Sequence, residues 1–551
     1  MSSAPSHWSR DLYAAALITV LSIPQGIAYA MIAGMPPAAG LYAAALPTVV
    51  GSLLRSSRHV ITGPTNALSL LVGAMIAQHA SLDPIAAGGL LAILVGAMQA
   101  GAGLLRLGVL VDYISTSVVT GYITGAGVLI AAGQLGNLTG TPMGDSPLPW
   151  QIMGWVHGLG AVELAPLGLG IGSAAAILAL RRLRPRWPSE ILVIGLATAA
   201  VPLLGLHTQT LADLGTIPGG LPAFGLPLEA LPHLAILLPV AVAASLLSLV
   251  ESSSVARSIS AHTGQPLDLD REFLGQGAAN IVAGMTSAYP TSGSLTRSAL
   301  NHSVGGTTRW AGAIAGVAML AVPTVAGPWL DRIPLAALAG LLMVVATNLV
   351  DLTRIRRVLL SNRGDAMAFG ATLMGTWVLP LDQAIVLGVG ISLVLFLRRA
   401  RTLVISELRI DPDGRLVESM DGSGEGYPGI RVLHVEGQLF FAAARELEAA
   451  LNAVIADPTV GVLILRLKRT QGLDLTPAEV LIAASERLQE TGRHLFLVGM
   501  RPDTMNALQT SGAADHLGKD HLFPTQRRWF AATEDAIAAA RALQHISDGP
   551  E

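Results

Sequence analysis

Two periodicities divide the chain. Up to about Arg401 it is a succession of apolar segments, running roughly 11–33, 37–54, 60–78, 85–105, 110–134, 163–182, 188–206, 232–256, 270–286, 290–304, 309–328, 333–350, 365–380 and 381–400. Each approaches the ~20 residues of a spanning helix or is a shorter, interrupted one. Fourteen spans are expected, or twelve if a segment has been divided wrongly. Beyond Arg401 the pattern becomes shorter and alternating. Ile430–Glu436, Gly461–Leu467 and His494–Val498 read as strands. Ala442–Ile455, Pro477–Glu490, Pro502–Thr510 and Glu534–Leu543 read as helices. Strands alternating with helices predict a small α/β domain. Asp411–Gly429, rich in Asp, Gly and Ser, reads as a linker or exposed loop.

Polar residues interrupt the apolar pattern in informative places. Pro290–Arg297 reads Pro-Thr-Ser-Gly-Ser-Leu-Thr-Arg. Such a run cannot face lipid, because hydrocarbon offers its backbone no partners. Pro290 suits the first turn of a helix, and the free N–H groups of such a start attract anions. Pro64-Thr65-Asn66-Ala67 matches Pro290-Thr291-Ser292-Gly293 at an offset of 290 − 64 = 226. The same offset carries Gln25 onto Glu251, since 251 − 25 = 226. Two interruptions sharing one offset imply an internal duplication and point to a transport site. Seven segments per copy would place the second copy inverted.

Composition and charge narrow the class. Only 13% of residues are charged, about half the ~25% of a soluble domain, while 52% are hydrophobic. The arginines fall in alternate loops: Arg55 and Arg58, Arg106, the Arg181/Arg182/Arg184/Arg186 cluster, Arg257 and Arg271, Arg309, Arg354–Arg363 and Arg398–Arg401. The long loops 137–160 and 207–231 contain neither Lys nor Arg. By the positive-inside rule the arginine loops and both termini are cytoplasmic. Met1–Arg10 lacks a cleavable signal pattern, so insertion is expected to use the first spanning helix. Cysteine is absent, which excludes disulfides and thiolate metal sites. No phosphate loop ending in Gly-Lys-Ser/Thr supports ATP-driven transport. No basic stripe suggests nucleic acid. The histidines show no close ligand pair, and neither a metal site nor a cofactor is expected.

Two charges carry the chemistry. Glu251 is a carboxylate inside an apolar segment, costly when ionised and repelled by a bound anion. Its protonation on anion binding would couple the two; alternatively it is a structural acid held by Arg257 or Arg297. Arg297 supplies a planar fork suited to oxyanions, or snorkels to the cytoplasmic surface. Gln25 could donate to an anion without adding charge, or glue helices together. Thr65, Asn66, Thr291, Ser292, Gly293 and Ser294 complete the expected substrate site with hydroxyl, amide or backbone donors. Thr65 and Glu251 oxygens could instead cage sodium, although this is a thin ligand set for a hard cation.

Ser22-Ile23-Pro24-Gln25-Gly26-Ile27-Ala28-Tyr29-Ala30, Gly63-Pro64-Thr65, the Glu251 helix and Ser294-Leu295-Thr296-Arg297 together resemble the sulfate permease (SulP-type) family of anion transporters. The resemblance runs from about Leu12 to Leu543. It implies an α-helical polytopic membrane protein whose 14 segments form 7+7 inverted repeats, in the fold shared with nucleobase carriers. A core of segments 1–4 and 8–11 would move against a gate of 5–7 and 12–14. The third and tenth segments would begin as short strands whose helix starts point at one anion. A cytoplasmic STAS domain of α/β type would follow.

The expected division is a cytoplasmic N-terminus 1–10, a transport domain 11–401 with repeats 11–207 and 232–400, a linker 402–429, a STAS domain 430–545 and a tail 546–551. In the STAS-like part, Thr476 is expected to cap a helix starting at Pro477. Leu475 stands where the phosphorylated serine of anti-sigma-factor antagonists would be. The expected activity is proton-coupled symport of sulfate, bicarbonate or a small mono- or dicarboxylate. The expected setting is a homodimer in the lipid bilayer of a bacterial-type inner membrane. Sodium symport and anion exchange are the alternatives, followed by a nucleobase carrier, which would want a second acid in the tenth segment. A membrane-anchored regulator is the rival from another class. No catalytic constellation suggests an enzyme.

Overall fold

The computed structural model describes residues 7–79, 81–141, 148–157, 160, 162–184, 187–410, 416–419 and 427–547. Arg186, most of the 411–429 stretch and the ends of the expected termini lie outside them. Two compact units divide at Leu393/Val394.

The first unit is helical. It opens with α1 (His7–Ile32), α2 (Pro37–Ala43) and α3 (Leu46–Leu54). The expected single segment 37–54 is thus two helices, broken where Ala45 leaves helical geometry at φ −100°, ψ −101°. Strand β1 (Ile61–Gly63), α4 (Asn66–Gln78) and α5 (Pro84–Leu104) follow. Asp83 starts α5 by accepting from the Ala86 N–H at 2.7 Å, satisfying one orphan donor. Next are α6 (Thr116–Gly133), α7 (Leu135–Thr139), α8 (Leu148–His157), α9 (Leu164–Leu183) and α10 (Ser189–Leu203). Helix α8 lies in a stretch expected to be loop.

The second half contains α11 (Leu234–Thr263), α12 (Leu269–Met285), β2 (Ser292–Ser294), α13 (Leu295–Ser303) and α14 (Trp310–Leu330). It closes with α15 (Leu335–Leu349), α16 (Leu352–Ser361), α17 (Arg363–Val378) and α18 (Leu381–Ala400). Every expected apolar segment contains helix. Nine helical stretches among the described residues are long and apolar enough to cross a membrane. Leu164, Leu196, Leu203 and Val325 are exposed on this unit, as lipid-facing side chains should be.

Helix packing divides this unit into two groups. In one, α5 and α3 pack on α12, while α1 and α3 pack on α14. In the other, α6 packs on α17 and α15, and α9 on α15. Small residues permit the close approach. A Cβ on Gly96 of α5 would lie 2.6 Å from the Gly277 carbonyl oxygen of α12, so that position admits only hydrogen.

The second unit is α/β. Its strands are β3 (Val404–Ile410), β4 (Leu416–Ser419), β5 (Ile430–Leu439), β6 (Val462–Leu473), β7 (His494–Met500) and β8 (Leu522–Pro524). The sheet order is β4-β3-β5-β6-β7-β8, with β5 through β8 parallel and β3 antiparallel to both its neighbours. Strand β3 bonds to β5 from Val404, so the sheet begins inside the stretch expected to be linker. Helices α19 (Ala444–Ile455), α20 (Leu475–Gln489), α21 (Pro502–Thr510), α22 (Ala513–Leu517) and α23 (Ala531–Ser547) cover it. Helix α20 starts at Leu475, two residues before Pro477. Asp474 rather than Thr476 holds its N-cap position, and the Asp474 carboxylate accepts from the Phe441 N–H at 3.2 Å.

A close His–Glu group also occurs here, contrary to expectation. Glu418, His434 and Glu436 bring ligand-type atoms within 4.8 Å of one another. Arg469 pairs with Glu436, and the Arg466 guanidinium donates to the His434 ring at 3.3 Å. Two cations inside the group make it an ion-pair network rather than a metal centre.

Candidate functional site

Strands β1 and β2 pair antiparallel deep in the first unit, with Ile61 opposite Ser294, Thr62 opposite Gly293 and Gly63 opposite Ser292. All six residues are buried. Because the pair is antiparallel, α4 and α13 leave from opposite ends of the ladder. Pro290 and Thr291 precede the strand, so Pro290 does not open the helix as expected. The strand takes the following residues, and Ser294 caps α13 by accepting from the Arg297 N–H at 3.4 Å. The helix starts Asn66 and Leu295 are 295 − 66 = 229 residues apart, three more than the sequence offset.

A polar face of α12 fixes β2. Glu272, Gln276 and Asn280 recur every four residues and are all buried, so they share one helical face. The Asn280 carboxamide accepts from the Thr291 N–H at 2.7 Å and hydroxyl at 2.9 Å, and donates to the Thr291 carbonyl at 3.1 Å. Gln276 donates to the same carbonyl at 2.7 Å. The Gly293 N–H donates to the Ser252 hydroxyl at 2.8 Å, which also accepts from Arg55 at 2.9 Å. Ser292 donates to the Ser248 carbonyl at 3.1 Å. The expected donors of Thr291 and Gly293 are therefore committed to holding the strand. Arg55, read from sequence as a topology signal, is fully buried 3.8 Å from Glu272.

The other expected residues keep their chemistry available. Thr65 occupies the N-cap position of α4, yet its side chain does not cap. Its hydroxyl donates to the Glu251 carboxyl at 3.0 Å instead. Asn66 accepts from the Ala67 N–H at 2.8 Å. Glu251 is half-buried on α11, with Ser292 also within hydrogen-bonding reach. Gln25 on α1 is buried, and its carbonyl oxygen has no partner among the described residues.

Arg297 is fully buried, which excludes the snorkelling alternative. One terminal nitrogen donates to the Pro64 carbonyl at 2.6 Å. Its Nε and other terminal nitrogen have no partner among the described residues. A Cβ on Gly63 would fall 2.9 Å from the guanidinium carbon, so the missing side chain makes the arginine's space. Arg297 is the charged group acting on Glu251, yet its hydrogen bond goes to Pro64. Tyr29 and Tyr289 are buried beside it, and Tyr289 shares a 3.2 Å hydrogen bond with Ser69. The sequence pattern assigns neither tyrosine a role in the site, although Tyr29 lies within the Ser22–Ala30 motif.

A cation with spare donors and an acid held by a hydroxyl thus meet where two short strands become helices. The sulfate permease family model matches residues 9–372, and the STAS domain model matches residues 424–528. The chain belongs to the sulfate permease family. It is a membrane protein of the anion-transport class, not an enzyme.

A protein named probable sulfate transporter from Mycobacterium tuberculosis (strain H37Rv) is 31% identical over 532 residues, covering 94% of each chain. The chloroplastic sulfate transporter 4.1 of Arabidopsis thaliana is 27% identical, covering 94% of this chain and 79% of its own. Among solved structures, the murine solute carrier 26 family member A9 anion transporter in its inward-facing state superposes with a TM-score of 0.86 at 20% identity. That match covers 97% of this chain and 91% of the other. The transmembrane domain of the cyanobacterial bicarbonate transporter BicA gives 0.61 at 22% identity over 70% and 97%. These likenesses establish the helical membrane fold.

Proposed function

We propose that the protein is a secondary active transporter that carries a small anion together with a proton by alternating access. The observation that carries this reading is the Thr65 hydroxyl donated to Glu251 at 3.0 Å, beside the unfilled donors of Arg297. An ionised carboxylate only accepts, so Thr65 must then spend its hydrogen on Glu251. A protonated Glu251 can donate to the Thr65 oxygen, which releases the Thr65 hydrogen towards an anion. Protonation also removes the like charge that would repel that anion. Arg297, Gln25, Asn66, Ser294 and the first turn of α4 supply further recognition. Sulfate, bicarbonate and small mono- or dicarboxylates suit these donors, and the relatives' names favour sulfate.

The two helix groups, α1–α5 with α11–α14 and α6–α10 with α15–α18, would be the moving core and gate. The arginine distribution supports a cytoplasmic STAS domain, and we read the setting as an inner membrane and the working form as a homodimer. The test is anion uptake into proteoliposomes with and without an inward proton gradient, for wild type and Glu251→Gln. Accumulation that needs the gradient, and loses that dependence in Glu251→Gln, supports the reading. Uptake driven by sodium or by internal anion, indifferent to the proton gradient, overturns the coupling.

A further inference from the structure

The first unit carries an open surface cavity of about 530 Å³ away from the strand pair. His7 and Arg10 of α1, Arg58 and His59 before β1, and His302 at the end of α13 line it. Thr263, Gln265 and the 305–308 loop complete the wall. No carboxylate belongs to this lining. Asp11 stands behind it, taken up by the N–H and hydroxyl groups of Thr307 and Thr308. Arg10 and Arg58 are exposed, and neither forms a salt bridge among the described residues. A wall of cations and neutral donors without a matching acid raises the local concentration of anions.

A second observation lies at the cavity's inner edge. His59 is 9% exposed. Its Nε2 meets the Gly306 carbonyl at 3.1 Å, which requires the hydrogen on that nitrogen. Its Nδ1 is buried with no partner among the described residues. A buried unpaired nitrogen is costly unless something completes it. The groups acting on the ring are His302, 5.4 Å away edge-on, Arg58 on the same loop and Asp11 from α1.

Two short elements join this cavity to the central site. Strand β1 begins two residues after His59 and leads to Thr65. Helix α13 carries Arg297 in its first turn and His302 in its last, about 7.5 Å apart along the axis for a separation of five residues at 1.5 Å each. Asn301 on α13 donates to the His59 carbonyl at 3.1 Å, fastening the two elements together.

We propose that this cavity is a second small-anion site, holding an oxyanion or halide between the loops and the central site. Arg10 and Arg58 attract the anion, and the His59/His302 pair contacts it. This inference rests on the transport reading only for the direction of traffic.

The test uses the full chain in lipid nanodiscs at low ionic strength and pH 6, titrated calorimetrically with sulfate and, separately, bromide. Two binding events are expected in wild type. The double variant Arg10→Gln/Arg58→Gln should weaken one event at least tenfold and leave the other within twofold. Because both arginines are exposed, the exchange disturbs no packing. Arg297→Gln should remove the complementary event. A double variant indistinguishable from wild type, or a single event in wild type with both probes, overturns the proposal. Two binding events without any flux in proteoliposomes would remove the transport reading and keep the site. Flux with a single binding event would do the reverse.

Discussion

The hydroxyl of Thr65 and the carboxyl of Glu251 lie 3.0 Å apart, joining the start of α4 to the middle of α11. A hydrogen bond to a charged acceptor is worth ~1.5–3 kcal/mol. Thr65→Val should therefore lower gradient-driven uptake about 10- to 100-fold, at ~1.4 kcal/mol per decade. Thr65→Ser keeps the hydroxyl and should retain most of the activity. The measurement is initial uptake rate in proteoliposomes at matched protein density. Equal loss in both variants would show that the methyl group, not the hydroxyl, matters.

Arg297 has its fork divided between a backbone carbonyl and open donors. Lysine retains the charge but cannot hold Pro64 while presenting a second planar donor. Arg297→Lys should raise the KM for anion several-fold and keep measurable flux, whereas Arg297→Gln should abolish uptake. A concentration series for each variant separates KM from maximal rate.

Gly63 sets the space that the guanidinium occupies. Gly63→Ala would push a methyl group into buried atoms with little room to yield. Uptake should fall at least tenfold while the purified protein keeps its size-exclusion profile. Normal uptake would mean that Arg297 can leave its place without consequence.

Much of this architecture is legible in the sequence because lipid is an exacting solvent. Apolar length reveals the helices, and a hydroxyl-rich run such as Pro290–Arg297 has to be enclosed. That argument enclosed the run but misplaced the helix start, and the short strands were implied by the family resemblance alone. Proline tolerates both a first helical turn and an extended lead-in, and only pairing with Ile61–Gly63 decides between them. Thr291 looked like a binding residue for the same reason: its donors are visible in sequence, whereas their capture by Asn280 is a tertiary contact. A signal for that capture did exist in the spacing of Glu272, Gln276 and Asn280. Arg55 remained hidden because a buried arginine and a loop arginine read alike until Glu272 is brought beside it.

Asn280 serves the strand, so its loss should look different from loss of a site residue. Asn280→Ala strips the Thr291 N–H and hydroxyl of their acceptor, and each buried orphan costs ~1–3 kcal/mol. The thermal midpoint of the purified protein should drop along with uptake. Thr65→Val and Arg297→Lys should lower uptake with little change in that midpoint. An unchanged midpoint for Asn280→Ala would argue that Thr291 finds other partners.

The second unit carries a pH dependence of its own. Burial, and then the charge of Arg466, hold His434 below the ordinary histidine range. Glu436, 3.1 Å from Nε2, and the Arg466 carbonyl, 3.3 Å from Nδ1, favour the charged ring, but burial and the Arg466 guanidinium 3.3 Å from Nδ1 outweigh them. The unfolded chain takes up a proton near pH 6.5 that the folded domain declines. Linkage then favours the unfolded state as pH falls: the contribution of His434 is whole above that pH and is lost progressively below it. Glu436, held below its usual range chiefly by its hydrogen bond to Arg469, stays ionised over the same interval and adds no competing slope. Amide hydrogen exchange on β5 and β6 of the full chain, corrected for intrinsic rates, should show protection falling from pH 7.5 to pH 5.5. His434→Gln should flatten that profile without lowering protection at pH 7.5 to the wild-type value at pH 5.5. A variant with the wild-type slope would assign the dependence to another group.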